Sequence, residues 1–206
     1  MNKISNPNHG TKHLDLGCGA KPRNPYRCAE VFGCDIRASE DVDFEVDFSY
    51  TQANLVLSGI PFPDNFFDSI SAFDFIEHIP RQVIRKDGDL INPFVNLMSE
   101  IYRVLKPGGI FLAVTPAYPR PEAFQDPTHV NIITEKTHRY FLGPNPLARM
   151  YGFKGAFNKK TCKWGAPKNY FDQNEKVLRK FFRSLEHIFF KGGFSHFVWE
   201  LEAHKN

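Results

Sequence analysis

The sequence predicts an α/β protein built on a doubly wound sheet of about seven strands, and three observations support this fold class. An apolar segment at residues 11–16 runs into a glycine turn, and a second apolar segment at residues 31–36 follows after a short connection. Residues 92–105 carry apolar side chains at three- and four-residue spacing, which indicates an amphipathic helix. Strands that alternate with helical segments favour a mostly parallel sheet with helices on its faces.

The other elements follow from side-chain periodicity and from turn residues. The connection between the first two strands contains Pro22 and Pro25 and leaves room for only a short helix. Gly108 ends the amphipathic helix. The remaining predicted elements are a third strand over 42–48, a fourth over 69–75, a strand over 110–115, a helix over 134–141, a strand near 153–163, a helix near 173–188 and a final strand over 195–203.

The composition suits one cytoplasmic domain. The chain has 206 residues, of which 42% are hydrophobic and 15% aromatic, so it is long enough to bury one full core. Residues 1–10 are polar, and no apolar run approaches the roughly 18 residues of a membrane span, so we expect a soluble protein without a membrane partner. The four cysteines lack paired C-x-x-C spacing and are expected to be free thiols.

The end of the first strand indicates a nucleoside site. Asp15, Gly17 and Gly19 form an Asp-x-Gly-x-Gly turn, and Asp35 follows sixteen residues after Gly19, at the end of the second strand. Parallel strands that end in a glycine turn and an acid bind a nucleoside at the carboxyl edge of the sheet. A dinucleotide fingerprint requires glycine where this chain has Pro22, which weakens the pyrophosphate interpretation. S-adenosylmethionine, which has an ammonium group and a ribose diol but no phosphate, fits better, and a dinucleotide-dependent enzyme is the alternative on fold alone.

Three later motifs strengthen this interpretation. They are Pro61-Phe62-Pro63-Asp64-Asn65-Phe66-Phe67-Asp68, Glu77-His78-Ile79 and Leu105-Lys106-Pro107-Gly108-Gly109. With the glycine turn, in this order, they resemble the class I S-adenosylmethionine-dependent methyltransferases over residues 11–141. The resemblance implies a Rossmann-like sheet whose last strand is antiparallel, S-adenosyl-L-methionine as cofactor and S-adenosyl-L-homocysteine as product. We expect one methyltransferase domain over residues 1–206, with a cofactor-binding half at 11–120 and an acceptor side at 121–206.

The cofactor residues can be assigned one at a time. Gly17, Cys18 and Gly19 are expected to let the backbone approach the ligand, and Asp15 to place a carboxylate near the ligand ammonium. The two oxygens of Asp35 suit a ribose cis-diol, and a loop cap is the alternative role of this residue.

Four further residues are expected near the adenine and the methionine part. Ile36 is predicted to cover one adenine face, and Asp47 and Phe48 match the family position that meets the adenine amino group and ring edge, although Asp43 competes for the role of Asp47. Phe73 either lies near the sulfonium, which an aromatic face favours by about 1 kcal/mol, or is a core residue.

Two histidines are the candidate bases. Methyl transfer needs aligned reactants, and a base only when the nucleophile carries a proton near neutral pH. His78 and His129 both follow predicted strands at the carboxyl edge, and Asp126 is placed to orient an imidazole nearby. The alternative for His78 is packing and capping beside the cofactor.

The same region offers a metal site as an alternative. Asp74, Glu77 and His78 stand at i, i+3 and i+4, and His129 would complete a carboxylate–histidine set. This is similar to the Glu-x-x-Glu-His pattern, with a later His, of small-RNA 2′-O-methyltransferases and ubiquinone-pathway O-methyltransferases. Asp74 stands where that pattern has Glu.

The acceptor is less constrained. Residues 151–206 hold 11 Lys and Arg against 5 Asp and Glu, whereas residues 1–150 hold 15 against 18. A basic acceptor side would attract an anionic acceptor, and the alternative is a set of solvated surface lysines. We expect O-methylation of a small or sugar-like acceptor, with a pocket built from residues 117–134 and the carboxyl-terminal third. RNA methylation and a cofactor-binding module without catalysis stay open, and the sequence does not predict an oligomeric state.

Overall fold

A computed structural model describes residues 10–171, 176–190 and 193–205, and its centre is a seven-stranded sheet. The strand order is β3-β2-β1-β4-β7-β9-β8. A separate two-stranded hairpin lies between β4 and the first helix. The strands are β1 (Lys12–Leu16), β2 (Glu30–Asp35), β3 (Ser49–Gln52), β4 (Phe67–Phe73), β5 (Val83–Ile84), β6 (Leu90–Ile91), β7 (Leu105–Pro116), β8 (Phe157–Gly165) and β9 (His196–Ala203); the helices are α1 (Pro93–Val104), α2 (Lys168–Phe171) and α3 (Val177–Phe190).

Five strands are parallel, and the last strand runs against them. β1 pairs in parallel with β2 and β4, and β4 pairs in parallel with β7. β9 lies between β7 and β8 and is antiparallel to both. The predicted fold class and the antiparallel last strand are therefore confirmed. The chain reverses its strand order on either side of β1, which is where such sheets bind ligands.

One face of the sheet packs on α1. Pro93 starts this helix, where its missing N–H group costs no helical hydrogen bond. An apolar stripe at three- and four-residue spacing then meets Leu14, Ile70 and Phe111 of the sheet. Its buried members are Phe94, Leu97, Met98, Ile101 and Val104.

The opposite face is more polar. Phe73, Leu112, Val114 and Val198 form a small apolar cluster that Tyr26 and Tyr170 help to cover. Beside it, the side chains of His13, Asp15, Ser69 and Ser71 are buried in the sheet although they are polar. Buried polar groups need hydrogen-bond partners, and these four bond to one another.

Two predicted elements were wrong in place or type. The third strand is Ser49–Gln52 instead of 42–48, because β2 begins only at Glu30 and the register pairs Phe32 with Ser49. In this register most of residues 42–48 would lie opposite residues that precede β2, so they have no strand to pair with. Phe44 and Phe48 pack against Tyr50. The helix predicted over 134–141 is a 3-10 helix at Thr137–Phe141.

The carboxyl-terminal elements are shifted along the chain. The strand expected near 153–163 starts at Phe157, because Phe153 packs inward against Phe141 and Phe157 before the strand begins. The predicted helix appears as Val177–Phe190, and its predicted start near Gln173 lies outside the described residues. Between β1 and β2, where we expected a short helix, the described backbone is a series of turns.

Candidate active site

The glycine turn after β1 has the backbone conformation that its sequence predicts. Gly17 and Gly19 have φ values of +66° and +60°, a region that favours glycine. The Gly17 N–H donates to the Cys34 carbonyl at 2.8 Å, which ties the turn to β2. A Cβ atom at Gly17 would meet the Phe75 ring at 2.6 Å, whereas one at Gly19 would meet only the flexible end of Arg37 at 3.2 Å. The turn therefore leaves its Gly19 side open to a ligand.

Asp35 lies beside this turn, and both of its carboxylate oxygens already accept hydrogen bonds. Its Oδ2 accepts the Gly19 N–H at 3.0 Å, and its Oδ1 accepts Nε of Arg37 at 3.1 Å. Hydrogen bonds from Arg37 and Gly19 outweigh partial burial and lower the pKa of Asp35, so the carboxylate is charged at neutral pH. A ribose diol that binds Asp35 has to displace the Arg37 side chain, which is nearly half exposed. Ile36, between them, is exposed as an adenine-covering residue requires.

Asp15 is fully buried and points into the protein. Its Oδ1 accepts the Ser71 hydroxyl at 2.5 Å, and its Oδ2 accepts the Arg23 backbone N–H at 2.9 Å. Burial raises the pKa of Asp15 to about 6, and the Arg23 guanidinium 3.7 Å away opposes that shift. We predicted that Asp15 contacts the ligand ammonium directly. In this structure both of its oxygens already accept hydrogen bonds, one from Ser71 and one from Arg23.

A chain of hydrogen bonds continues from Asp15 across the sheet. His13 Nε2 lies 2.9 Å from the Ser71 hydroxyl and His13 Nδ1 lies 2.8 Å from the Ser69 hydroxyl. Because Ser71 donates to Asp15, its oxygen accepts from His13 Nε2–H, and Nδ1 accepts from Ser69. Burial lowers the pKa of His13 to about 3, so the ring is neutral. This network holds Asp15 rigidly beneath the glycine turn.

The remaining predicted cofactor residues differ in their exposure. Phe48 is half-buried and packs with Cys18 over Gly33, where an added Cβ would lie 2.5 Å from the Phe48 ring and 2.6 Å from the Cys18 sulfur. Asp47 is exposed beside it. Phe73 is 2% exposed, and the Arg23 guanidinium lies 5.1 Å from its ring centre. This environment favours the alternative role of Phe73, that of a core residue, because the ring is buried and Arg23 covers its face.

Glu77, His78 and His129 come together at the carboxyl edge. One ligand atom from each lies within 4.8 Å of the others, and the two imidazole centres are 4.9 Å apart. The backbone explains the convergence: the Glu77 carbonyl accepts N–H groups from Val130 at 3.0 Å and Asn131 at 2.9 Å. These bonds hold the segment after β7 against the short turn after β4.

Hydrogen bonds assign the tautomers of both rings. His78 Nδ1 lies 3.0 Å from the Thr128 hydroxyl, which itself donates to Asp126 at 2.6 Å, so Nδ1 carries the proton. His129 Nδ1 lies 3.3 Å from the Ala123 carbonyl and is likewise a donor. Both Nε2 atoms therefore keep a lone pair. Asp126 orients His78 through Thr128 and lies 4.0 Å from His129 Nε2.

The carboxyl group of Glu77 is half satisfied. Its Oε2 accepts the Thr115 hydroxyl at 2.8 Å, whereas Oε1 is buried without a hydrogen-bond partner. Burial raises the pKa of Glu77 to about 8, so the group is protonated at neutral pH unless a cation neutralises it. An orphaned carboxyl oxygen beside two imidazole lone pairs fits either a proton donor or a metal ligand.

Asp74 belongs to a different pair. Its Oδ1 lies 2.9 Å from His196 Nε2, and His196 Nδ1 lies 2.7 Å from the Ser195 hydroxyl. The expectation that Asp74 joins the cluster of Glu77, His78 and His129 was therefore wrong. Sequence reasoning missed His196, because 122 residues separate it from Asp74 and no local motif marks it.

A cleft opens beside Phe194, two residues before His196 in the sequence. It has a volume of about 690 Å³, and its walls include Tyr118, Arg120, Lys136, Trp164 and Phe194. Apart from Lys136, these residues come from 117–134 and from the carboxyl-terminal third, the two regions from which we predicted an acceptor pocket. His129 is not among its lining residues.

The sheet order and the glycine turn at its carboxyl edge are those of a Rossmann-like protein. Comparison with known proteins shows which family the chain resembles. Residues 14–113 match the family model described as "Methyltransferase domain". This match covers slightly under half of the chain, and in fold the chain is similar to solved S-adenosylmethionine-dependent methyltransferases. The open side of Gly19 and the charged Asp35 fit S-adenosylmethionine as the cofactor.

Individual relatives are distant. Sterol 24-C-methyltransferase ERG6B of Gibberella zeae is 31% identical over 115 residues, which are 50% of this chain and 27% of that protein. The chain thus spans about a quarter of the length of the curated relatives it matches. An S-adenosylmethionine-dependent methyltransferase from Archaeoglobus fulgidus superposes with a TM-score of 0.54 at 16% identity, over 95% of this chain and 87% of that one. One from Mesorhizobium loti gives 0.56 at 14% identity, over 95% and 93%.

The family match covers the cofactor half. It ends at residue 113, before the segment that carries His129 and the cleft begins. Within the described residues, no helix is both long and apolar enough to cross a membrane. All four cysteines lie in the described part of the chain and are free thiols.

Proposed function

We propose that this chain transfers the methyl group of S-adenosylmethionine to an oxygen of a small, sugar-like or anionic acceptor, with His129 as the base. The observation that carries this proposal is the convergence of His78 and His129 with unprotonated Nε2 atoms at the cofactor edge. A hydroxyl nucleophile must lose its proton during transfer, and an imidazole nitrogen with a free lone pair is a suitable acceptor for that proton.

The chemistry asks for alignment and for one proton acceptor. S-adenosylmethionine supplies an activated methyl group when bound. The bound cofactor would supply its methyl carbon to the acceptor oxygen and would leave as S-adenosylhomocysteine, while His129 Nε2 would take the hydroxyl proton. The His129 Nδ1–H bond to Ala123 holds the ring in the tautomer that this step needs.

The cleft beside Phe194 supports an anionic acceptor. Arg120 and Lys136 lie on its walls, and guanidinium and ammonium groups bind carboxylates and phosphates. The sterol methyltransferase relatives suggest a small molecule, but their similarity covers half of this chain, and the family match lies in the cofactor half. The acceptor is therefore inferred from this chain's own cleft.

Two measurements test the proposal in order. Calorimetric titration with S-adenosylhomocysteine should show binding, and NAD should show none. Mass spectrometry of small molecules that co-purify with the protein, followed by methyl transfer assays on hydroxylated candidates, should then yield a product heavier by one methylene unit. Transfer to RNA but to no small molecule would contradict the proposal, as would cofactor binding without transfer to any acceptor class tested.

The orphaned oxygen of Glu77 favours a second candidate, in which a divalent cation binds Glu77, His78 and His129 and engages a diol acceptor. The cation would neutralise the buried carboxyl and displace its proton. Added Zn²⁺ or Mn²⁺ should then raise the melting temperature and release protons, and both effects should vanish in His78→Ala. An unchanged melting temperature with either ion would eliminate this candidate without affecting the first.

A further inference from the structure

Helix α3 turns its apolar side away from the protein. At about 100° per residue, the seven apolar residues between Val177 and Phe189 fall in one arc of about 140°. A helix that covers a sheet normally buries such an arc. Here the arc is outward, and six of its seven members are more than half exposed, from 52% at Ile188 to 83% at Val177. The six are Val177, Leu178, Phe181, Phe182, Ile188 and Phe189, and we call them the α3 face.

The polar side of α3 is the one attached to the domain. Asn169 of α2 donates to the Ser184 hydroxyl at 3.2 Å and accepts from Arg183 at 3.1 Å. The His187 ring stacks on Phe194 with centres 5.7 Å apart. Three side chains of α3 thus fix the rotation of the helix. The exposure of the α3 face follows from these contacts.

Basic residues border the α3 face. On the same helical projection, Arg179 and Lys180 flank the apolar arc on its two sides, and Arg183 lies between them. The helix has one acidic residue, Glu186, which lies about 40° beyond the arc, between it and Arg179, so the four cations at 176, 179, 180 and 183 outnumber the acid. Exposed Lys176 adds positive charge directly before the helix. Apolar residues bordered by cations whose stems can reach along the surface are typical of helices that lie in an anionic lipid interface.

The end of α3 opposite its start is linked to the proposed acceptor cleft, because His187 stacks on Phe194 of the cleft wall. Gly193 and Phe194, which follow the helix, form part of the cleft wall. Tyr118, on the same wall, is exposed and packs on Phe124, which is exposed as well. An apolar surface therefore stands close to the cleft mouth.

We propose that the α3 face docks this protein peripherally on an anionic lipid surface. This departs from our expectation, based on the absence of a spanning segment, that the protein has no membrane partner. A helix needs no spanning length to bind in the interface plane: its apolar face enters the boundary between headgroups and acyl chains while the cations meet anionic headgroups. A second copy of this chain is disfavoured as the occupant, because two such helices would bring like charges together.

The test uses vesicle co-sedimentation with the full chain. Wild type should bind vesicles of phosphatidylcholine mixed with phosphatidylglycerol, bind pure phosphatidylcholine more weakly, and dissociate as salt is raised. Phe181→Ser combined with Phe189→Ser should weaken binding by about tenfold per ring, which corresponds to about 1.4 kcal/mol each. Ile84→Ser combined with Met150→Ser removes equally exposed apolar residues elsewhere and should bind as wild type does.

Circular dichroism and S-adenosylhomocysteine affinity confirm that each variant is folded, since all four substituted side chains are exposed. Equal binding to neutral and anionic vesicles, no binding by wild type, or unchanged binding by the α3 variant would each overturn the proposal. A dimer in light scattering that the α3 variant loses, without vesicle binding, would assign the face to a second copy. Failure here leaves the proposed methyl transfer intact, because the α3 face contains none of its residues.

Discussion

The pairing of Asp35 with Arg37 predicts opposite effects on cofactor affinity when either residue is removed. Without ligand, Arg37 bonds to Asp35 through its side chain and its backbone N–H, at 3.1 and 3.2 Å. A ribose diol has to take the place of the side chain. Asp35→Ala removes the acceptor of the diol, whereas Arg37→Ala removes a competitor for it.

The magnitudes follow from the structure. Two hydroxyl bonds to a charged acceptor stabilise a complex by roughly 1.5–3 kcal/mol each, and part of this replaces solvent bonds and the exposed Arg37 contact, worth about 1 kcal/mol or less. A net loss of about 2 kcal/mol makes Asp35→Ala bind S-adenosylhomocysteine about 30-fold more weakly. Arg37→Ala should bind it equally well or up to about fivefold more tightly, the equivalent of about 1 kcal/mol.

Isothermal titration calorimetry measures both effects. Asp41→Ala is the matched control, because Asp41 is an exposed carboxylate in the same half of the chain, on the turn between β2 and β3. Since Asp35 also accepts the Gly19 N–H, circular dichroism must show that the variant is folded. A folded Asp35→Ala variant with affinity within about threefold of wild type would refute the assignment of the diol to Asp35.

Three further predictions concern the glycine turn and the histidine cluster. His129→Ala should lower turnover about a hundredfold or more while S-adenosylhomocysteine affinity is retained, and equal losses of both would point to a structural role. The folded-state pKa of Glu77 is raised to about 8 from 4.5, so the stability that its neutral carboxyl contributes is present below the unfolded value and is lost as pH rises through 8. Glu77→Gln should therefore lose less stability than wild type between about pH 5 and pH 9 in denaturant titrations. Parallel curves of stability against pH for the two proteins would contradict this prediction. Gly17→Ala should melt at a lower temperature than Gly19→Ala, because both pay the left-handed backbone cost of about 1–2 kcal/mol but only Gly17 meets the Phe75 ring at 2.6 Å, and equal melting temperatures would exclude that contact as the cause.

The cofactor half was predictable from the sequence because its signals are local. A strand, two glycines with positive φ and an acid at the end of the next strand lie within 25 residues, and the sheet brings them together wherever it forms. Asp15 shows the limit of such reasoning. Its position was predicted, but its partners Ser71 and His13 meet it across paired strands, which no local pattern reveals.

Edge elements and helix orientation were harder to predict. Alternation over residues 42–48 indicated a strand, but a strand forms only where a neighbour offers hydrogen bonds, and β2 starts too late to do so. In α3 the apolar period correctly indicated a helix. The period does not determine which side meets the sheet, and here the contacts of Asn169 decide it.

The histidine cluster was predictable in part from local sequence signals and depends in part on contacts between distant residues. His78 and His129 were identified because polar residues after strands collect at one edge, but their approach to 4.9 Å depends on one residue, Glu77. Its backbone carbonyl accepts two N–H groups from the segment that carries His129, while its side chain stays buried against Thr115. A buried carboxyl with one oxygen unpartnered costs stability, and its position beside two imidazoles supports the proposed role of Glu77 as a proton or cation site. Since the backbone bonds survive Glu77→Gln, that variant separates the two contributions: the histidines should stay together while the titrating group is lost.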